Sequence, residues 1–122
     1  MTRQPLLEIR ALGVAAGGSA ILKDVSLPVH AGRTLALIGE SGSGKSMTGL
    51  SILGLLPRGV DYTAGSTILF DGEPLPLGDE RGMRALRGVR IGVVFQDPMA
   101  CLNPFMRVGT QIGEALRRAG MA

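Results

Sequence analysis

Apolar residues along this chain come in short bursts separated by glycine, proline and charge, and the bursts switch between strand-like and helix-like spacing. Leu6, Leu7, Ile9 and Leu12, broken by Glu8 and Arg10, predict a first strand over residues 6–12. Gly17-Gly18 predicts a turn, after which Ile21, Val25 and Leu27 give residues 21–27 the loose alternation of a half-buried strand. His30-Ala31-Gly32-Arg33 predicts another turn. Leu35-Ala36-Leu37-Ile38 is a continuous apolar run, the pattern of a strand buried on both faces. A helix is then predicted from near Lys45 to about Leu56, ended by Pro57. Its residues Met47, Leu50, Ile52, Leu53 and Leu56 form a stripe suited to packing on a sheet.

The second half repeats the alternation of elements. Residues 65–70 predict a strand closed by the Asp71-Gly72 turn, with a loop between Pro74 and Pro76. Residues 80–87 predict a short arginine-rich helix. Ile91-Gly92-Val93-Val94-Phe95 is a second short apolar run, expected beside residues 35–38, and Gln96-Asp97-Pro98 ends it. A loop through Asn103-Pro104 leads to a helix over residues 110–119, with Thr110 as its cap and Ile112, Ala115, Leu116 and Ala119 on one face. Strands alternating with helices in this way predict an α/β fold.

Composition narrows the class further. A chain of 122 residues fits about one small domain. The only lysines are Lys23 and Lys45, so the net charge of +3 is carried by arginine. That balance suits a solvated surface better than a nucleic-acid reader, which interleaves basic residues with exposed aromatics. Here Tyr62, Phe70, Phe95 and Phe105 are the whole aromatic complement, and no nucleic-acid partner is expected. The arginines Arg81, Arg84, Arg87 and Arg90, at roughly helical spacing, read as a solvated face. Cys101 is alone, so no internal disulfide forms and a reducing cytosol fits. No signal-peptide pattern opens the chain and no apolar run approaches the ~18 residues of a membrane span. A cytoplasmic protein is therefore expected. The single histidine, His30, reads as a surface turn residue.

The residues that carry chemistry lie between the first long apolar run and the first helix. Gly39-Glu40-Ser41-Gly42-Ser43-Gly44-Lys45-Ser46 matches G-x-x-x-x-G-K-[ST] at every fixed position. Glycines let the backbone curl so that successive N–H groups point at phosphate oxygens. The loop opens into a helix N-terminus, whose unpaired donors and positive dipole end favour an anion. Lys45 is expected to reach the β- and γ-phosphates as a point charge, and Ser46 to place its hydroxyl on Mg²⁺. A plain strand-to-helix turn is the competing reading, and it does not require lysine and serine at these offsets.

This loop, followed some fifty residues later by Val93-Val94-Phe95-Gln96-Asp97-Pro98, resembles the ATP-binding subunit of an ABC transporter. Spacing alone leaves Gln96 open between a sheet-edge polar residue and a functional group. In the family a glutamine here ends a strand, senses Mg²⁺ and the attacking water, and relays nucleotide state to the membrane subunits. The resemblance implies that role for Gln96. Ile21–Leu27, read as residues 21–27, is similar to the family's segment before the phosphate loop, and residues 65–72 to its hairpin. The stretches Phe95-Gln96-Asp97-Pro98-Met99, Leu102-Asn103-Pro104 and Val108-Gly109-Thr110-Gln111-Ile112 are similar to the oligopeptide, dipeptide and nickel importers. The implied fold is a P-loop NTPase core with an N-terminal antiparallel β subdomain, residues 1–122 forming the N-terminal portion of one nucleotide-binding domain. ATP and Mg²⁺ are the implied cofactors. The implied partners are transmembrane permease subunits, a second ATP-binding subunit and, indirectly, a solute-binding protein, at the inner face of the membrane. Residues 99–106 are where such subunits meet a permease helix.

Two departures from the family pattern bear on activity. Ala16, with Ala15 beside it, stands where the family has an aromatic ring stacked on adenine. Such stacking is worth ~1–3 kcal/mol per base in nucleic-acid binders, so ATP binding is expected to be weakened about 5- to 150-fold. Residues 1–122 also contain no LSGGQ-like signature, no aspartate-glutamate Walker B strand and no switch histidine, His30 preceding the loop. Binding without meaningful turnover is the expectation, since hydrolysis needs a positioned water and a well-held metal. Two other readings stand beside this one: a P-loop kinase or GTPase, for which no guanine-reading N-K-x-D is present, and a non-catalytic remnant with unpaired sheet edges.

Overall fold

The computed structural model describes residues 4–40, 42–97 and 101–120. Met1, Thr2, Arg3, Ser41, Pro98, Met99, Ala100, Met121 and Ala122 lie outside the described residues. The chain divides into two compact units, Met1–Glu80 and Arg81–Ala122.

The first unit is built on a hairpin. β1 (Leu7–Ala16) and β2 (Ser19–Val29) pair antiparallel across the Gly17-Gly18 turn, and Gly17 takes the left-handed backbone such a turn requires. After the helix α1 (Lys45–Leu53), three shorter strands follow: β3 (Val60–Tyr62), β4 (Thr67–Phe70) and β5 (Glu73–Pro74). The sheet order is β2-β1-β4-β5, with β3 also paired to β1. β1 is therefore the hub, bonded to β2 along one edge and to β4 and β3 in turn along the other.

The register slips between Ile9 and Leu12 and again between Leu12 and Val14, marking bulges. Ala11 and Asp24 take positive φ of 50° and 48° there, which is unusual for residues with a Cβ. The bulge at Ala11 frees its N–H from the ladder, and the Ser26 hydroxyl accepts it at 2.8 Å. At Gly13, between the stretches paired to β4 and β3, one hydroxyl satisfies both backbone groups. Ser66 Oγ accepts the Gly13 N–H at 2.9 Å and donates to the Gly13 carbonyl at 3.1 Å. The Thr63 N–H reaches the same carbonyl at 2.9 Å. Ile9, Leu12, Val14, Leu22, Leu53, Ile68 and Leu75 are the buried apolar residues of this unit.

The second unit carries all but the first residue of α2 (Glu80–Leu86) and the whole of α3 (Val108–Arg118). Arg118 ties them together: its Nη2 donates to the Arg84 carbonyl at 2.6 Å and its Nε to the Arg87 carbonyl at 3.0 Å. A guanidinium at the C-terminal end of α2 thus satisfies carbonyls the helix leaves over and opposes the negative end of its dipole. The Gln111 side chain staples the preceding loop to α3, accepting from the Asn103 N–H at 3.0 Å and donating to the Asn103 and Met106 carbonyls.

Several expectations from the apolar pattern are corrected. Residues 35–38 form no strand and are exposed, Ile38 to 94 %. In the run 91–95 only Ile91 is paired, through an isolated bridge to Arg87, and Val94 is 96 % exposed. A strand buried on both faces takes its hydrogen bonds from neighbouring strands, and no described segment supplies a ladder to either run. α1 ends at Leu53 with Gly54 in the left-handed conformation, three residues before Pro57. Its buried positions are Thr48, Ser51 and Leu53, whereas Met47, Leu50, Ile52 and Leu56 are half-buried. The cap of α3 is Arg107 and not Thr110, which lies inside the first turn, and no α3 residue is buried. β3 and β5 have no counterpart in the sequence reading.

Gly13 yields a sharp test of the sheet. A Cβ placed there would lie 2.1 Å from Thr63 Oγ1, deep inside contact distance. Gly13→Ala is expected to destabilise the chain by ~1–3 kcal/mol, measured by urea unfolding. An unchanged midpoint would contradict the described junction.

Candidate functional site

The phosphate-loop sequence forms a curled turn running into α1. The Ser43 N–H bonds to the Glu40 carbonyl at 3.1 Å, and Gly42 and Gly44 take φ of 84° and 98°. Those angles are readily available only to glycine. Gly39 and Ser43 approach so closely that a Cβ on Gly39 would lie 2.6 Å from Ser43 Oγ. Gly44 is the N-cap of α1 and offers no side-chain cap, so the first-turn donors are left to another acceptor. The first bond of the helix runs from the Thr48 N–H to the Gly44 carbonyl at 2.9 Å, joined by Thr48 Oγ1 at 2.8 Å.

Lys45 is the first residue of α1, and its side chain folds back across the loop. Its ammonium donates to the carbonyls of Gly39 and Glu40, the latter at 2.9 Å. The cation is therefore held over the start of the turn by two neutral acceptors. A phosphate oxygen is a stronger partner for it, because a charge-assisted bond is about twice as strong as a neutral one. Ser46, second in the helix, is exposed. Gly39, Glu40, Gly42, Ser43, Gly44, Lys45 and Ser46 are thus brought together in one turn, and Ser41 lies outside the described residues.

Beneath this turn stands β2. Leu22, buried, places its Cδ2 where a side chain on Gly44 would go, 2.6 Å from an ideal Cβ. At the other end of α1 the Tyr62 hydroxyl donates to the Ser51 carbonyl at 2.6 Å, and Ser51 Oγ donates to Met47 O at 2.7 Å. Both Thr48 and Ser51 are buried because their hydroxyls bond within the helix. Neither Leu22 nor Tyr62 stood out in the sequence as a residue bearing on the loop. A leucine in an alternating strand and an isolated tyrosine give no motif.

Ala16 closes β1, paired to Ser19 and Val60, and is half-buried. Gln96, in the second unit, is exposed at a bend and not at a strand end, since residues 92–95 form no strand. The loop after it passes outside the described residues at 98–100. Cys101 is exposed, with its thiol on the Asp97 carbonyl at 3.2 Å. Among the described residues no cluster of three or more His, Cys, Asp or Glu side chains is placed to hold a metal ion. Also among the described residues, no helix is long and apolar enough to cross a membrane.

The family profile described as ABC transporter matches residues 22–121. The chain belongs to the ABC transporter family. A Brucella ovis protein named for peptide import as an ATP-binding component is 48 % identical over 126 aligned residues, covering 96 % of this chain and 37 % of that protein. The oligopeptide transport ATP-binding protein OppD of Bacillus subtilis is 43 % identical over 115 residues, covering 91 % of this chain and 32 % of OppD. The peptidoglycan transport ATP-binding protein YejF of Agrobacterium fabrum is 46 % identical over 117 residues, covering 93 % and 21 %. The chain thus spans little more than a third of the length of these relatives, or less. Among solved structures, CbiO1 of Clostridium perfringens, part of the ABC transporter complex CbiONQ, aligns with a TM-score of 0.61. That match covers 98 % of this chain and 52 % of CbiO1 at 23 % identity, and it shows the fold. The architecture is that of an incomplete α/β ABC ATPase domain with its antiparallel N-terminal sheet.

For this ABC chain Gly44, which caps α1, and Gly49, inside it, make a paired test. Gly44→Ala meets both a positive φ and Leu22, and is expected to cost ~1–3 kcal/mol. Gly49→Ala, with open space around it inside α1, is expected to raise stability by ~0.4–1 kcal/mol. Thermal unfolding of the two variants separates them by sign, and equal effects would contradict the described loop.

Proposed function

We propose that this chain binds the triphosphate of ATP in the turn from Gly39 to Ser46, as the nucleotide-binding portion of an ABC importer subunit for peptides or a related small solute. The observation that carries the reading is the pairing of an uncapped helix N-terminus with the Lys45 ammonium folded over the turn. Two left-handed glycines keep side chains out of the space between them. Anions are stabilised at such a terminus by unpaired N–H groups and the helix dipole. Gly39, Glu40, Ser41, Gly42, Ser43 and Gly44 cradle the phosphates in this reading. Lys45 exchanges its two carbonyl partners for phosphate oxygens. Ser46 and Gln96 are the residues assigned to Mg²⁺, which when bound neutralises phosphate charge and orients it.

The wider role follows the family. In the complete protein two ATP-binding subunits pair, engage transmembrane permease subunits at the inner face of the membrane, and serve a solute-binding protein indirectly. Peptide import is favoured because the names of the Brucella ovis and Bacillus subtilis relatives refer to it. For residues 1–122 the proposal is ATP binding, and hydrolysis is proposed of the complete protein. A second reading, a remnant that binds ATP weakly or not at all, is favoured by the exposure of Ile38 and Val94, apolar residues of unpaired runs.

Titration with a fluorescent ATP analogue and Mg²⁺ decides between them. Saturable binding is expected, with Lys45→Ala weakening it about 10- to 150-fold, the worth of one hydrogen bond to a charged group. No binding by a chain that circular dichroism shows folded would overturn the reading. In a full-length version, charge or bulk substitutions across residues 99–106 are expected to reduce permease capture in a pull-down. Unchanged capture would remove that surface from the proposed interface.

A further inference from the structure

We infer that Leu22 is a positioning residue for the phosphate loop: its side chain, seated under Gly44, fixes the left-handed turn from which α1 launches its first N–H groups. The inference rests on the nucleotide reading above for its functional consequence, and on geometry alone for the contact.

Gly44 is the point where loop becomes helix, at φ 98° and ψ 5°. Its carbonyl receives both the Thr48 N–H and the Thr48 hydroxyl, so any tilt of the Gly44 peptide is passed to the first turn of α1. Glycine has no side chain to narrow such a conformation, so a contact from outside the loop adds to the bonds within it. Leu22 makes that contact. It is 6 % exposed, and its Cδ2 occupies the place of the missing Gly44 side chain. Of the other loop glycines, Gly42 meets nothing within 4 Å and Gly39 meets only Ser43 and Lys45 of the loop itself, so the contact from outside the loop is particular to Gly44.

Leu22 is itself held from behind. Across the ladder it pairs with Val14, fully buried, and Val14 pairs on its other side with Tyr62. The Tyr62 hydroxyl in turn grips the Ser51 carbonyl near the far end of α1. One row of three strands therefore touches the helix at both ends, with Leu22 at the phosphate end. Leu53, equally buried at 5 %, lies in the last turn of α1 and away from the loop. The two leucines separate support of the loop from support of the fold.

The experiment compares Leu22→Ala with Leu53→Ala in the 122-residue chain, with Leu22→Met as the conservative replacement. Melting temperature, the Gly44 amide resonance, amide exchange at Thr48 and affinity for an ATP analogue with Mg²⁺ are read for each. Both alanine variants are expected to lower Tm similarly. Leu22→Ala alone is expected to shift the Gly44 amide resonance, lose Thr48 protection beyond the global change and weaken ATP binding about tenfold. Leu53→Ala should stay within about twofold of the parent in affinity, and Leu22→Met should restore all three. If Leu22→Ala unfolds, Leu22→Val takes its place as the shortened side chain: a shift at Gly44 with lost Thr48 protection is expected, and parental values for both would overturn the inference. Equal effects of the two alanine variants on Gly44, Thr48 and affinity would overturn the inference. The Gly44 and Thr48 response in Leu22→Ala, with no ATP binding by the parent chain, would uphold the positioning role and remove the nucleotide reading instead.

Discussion

Everything described in the first unit hangs on the pairing of β1 with three partners at once. β2 covers one edge of it along most of its length, while β4 and β3 share the other, each for a few residues. The change of partner falls at Gly13, where no ladder bond is available from either short strand. The Ser66 hydroxyl and the Thr63 N–H close that gap. An unmet buried amide costs ~1–3 kcal/mol, a large fraction of the stability of so small a unit. A glycine, a serine and a threonine thus allow one central strand to serve two short strands along one side and keep Leu12 and Val14 dry.

That sheet is what gives the phosphate loop a shape. α1 is short, nine residues, and an isolated helix of this length is marginal in water. It persists because β2 meets its first turn through Leu22 and β3 meets its end through Tyr62. The loop is then strung between a fixed helix start and the exposed segment before it. Lys45 closes the turn from within by bonding to Gly39 and Glu40. Sequence dictates the glycines, tertiary contact dictates their conformation, and an anion-ready helix terminus is the result.

Much of this was legible from the pattern of residues. The hairpin about Gly17-Gly18, the glycine-rich turn before α1, the start of α1 at Lys45, β4 with its Asp71-Gly72 turn and the helix α2 all follow from periodicity and turn chemistry. The rest was hidden for identifiable reasons. β3 and β5 are three and two residues long, below any periodic signal, and β5 contains Pro74. The bulges at Ala11 and Asp24 use positive φ without a glycine to announce it. Thr48 and Ser51 are buried because their hydroxyls are satisfied inside the helix, which a polarity pattern cannot express. The runs 35–38 and 91–95 carry the composition of buried strands, but a parallel strand is a property of its neighbours as much as of itself.

Among the described residues the antiparallel sheet holds α1 and the turn before it in place, while residues 35–38 and 92–95 join no strand. Native-state amide exchange of the chain without nucleotide tests it most directly. The account predicts that amides of α1 from Thr48 to Leu53 are protected nearly as well as those in the centre of β1, with fast exchange at Leu37, Ile38, Val93 and Val94. Exchange in α1 as fast as at Ile38 would contradict it, because the helix would then be unsupported and the loop without a fixed start.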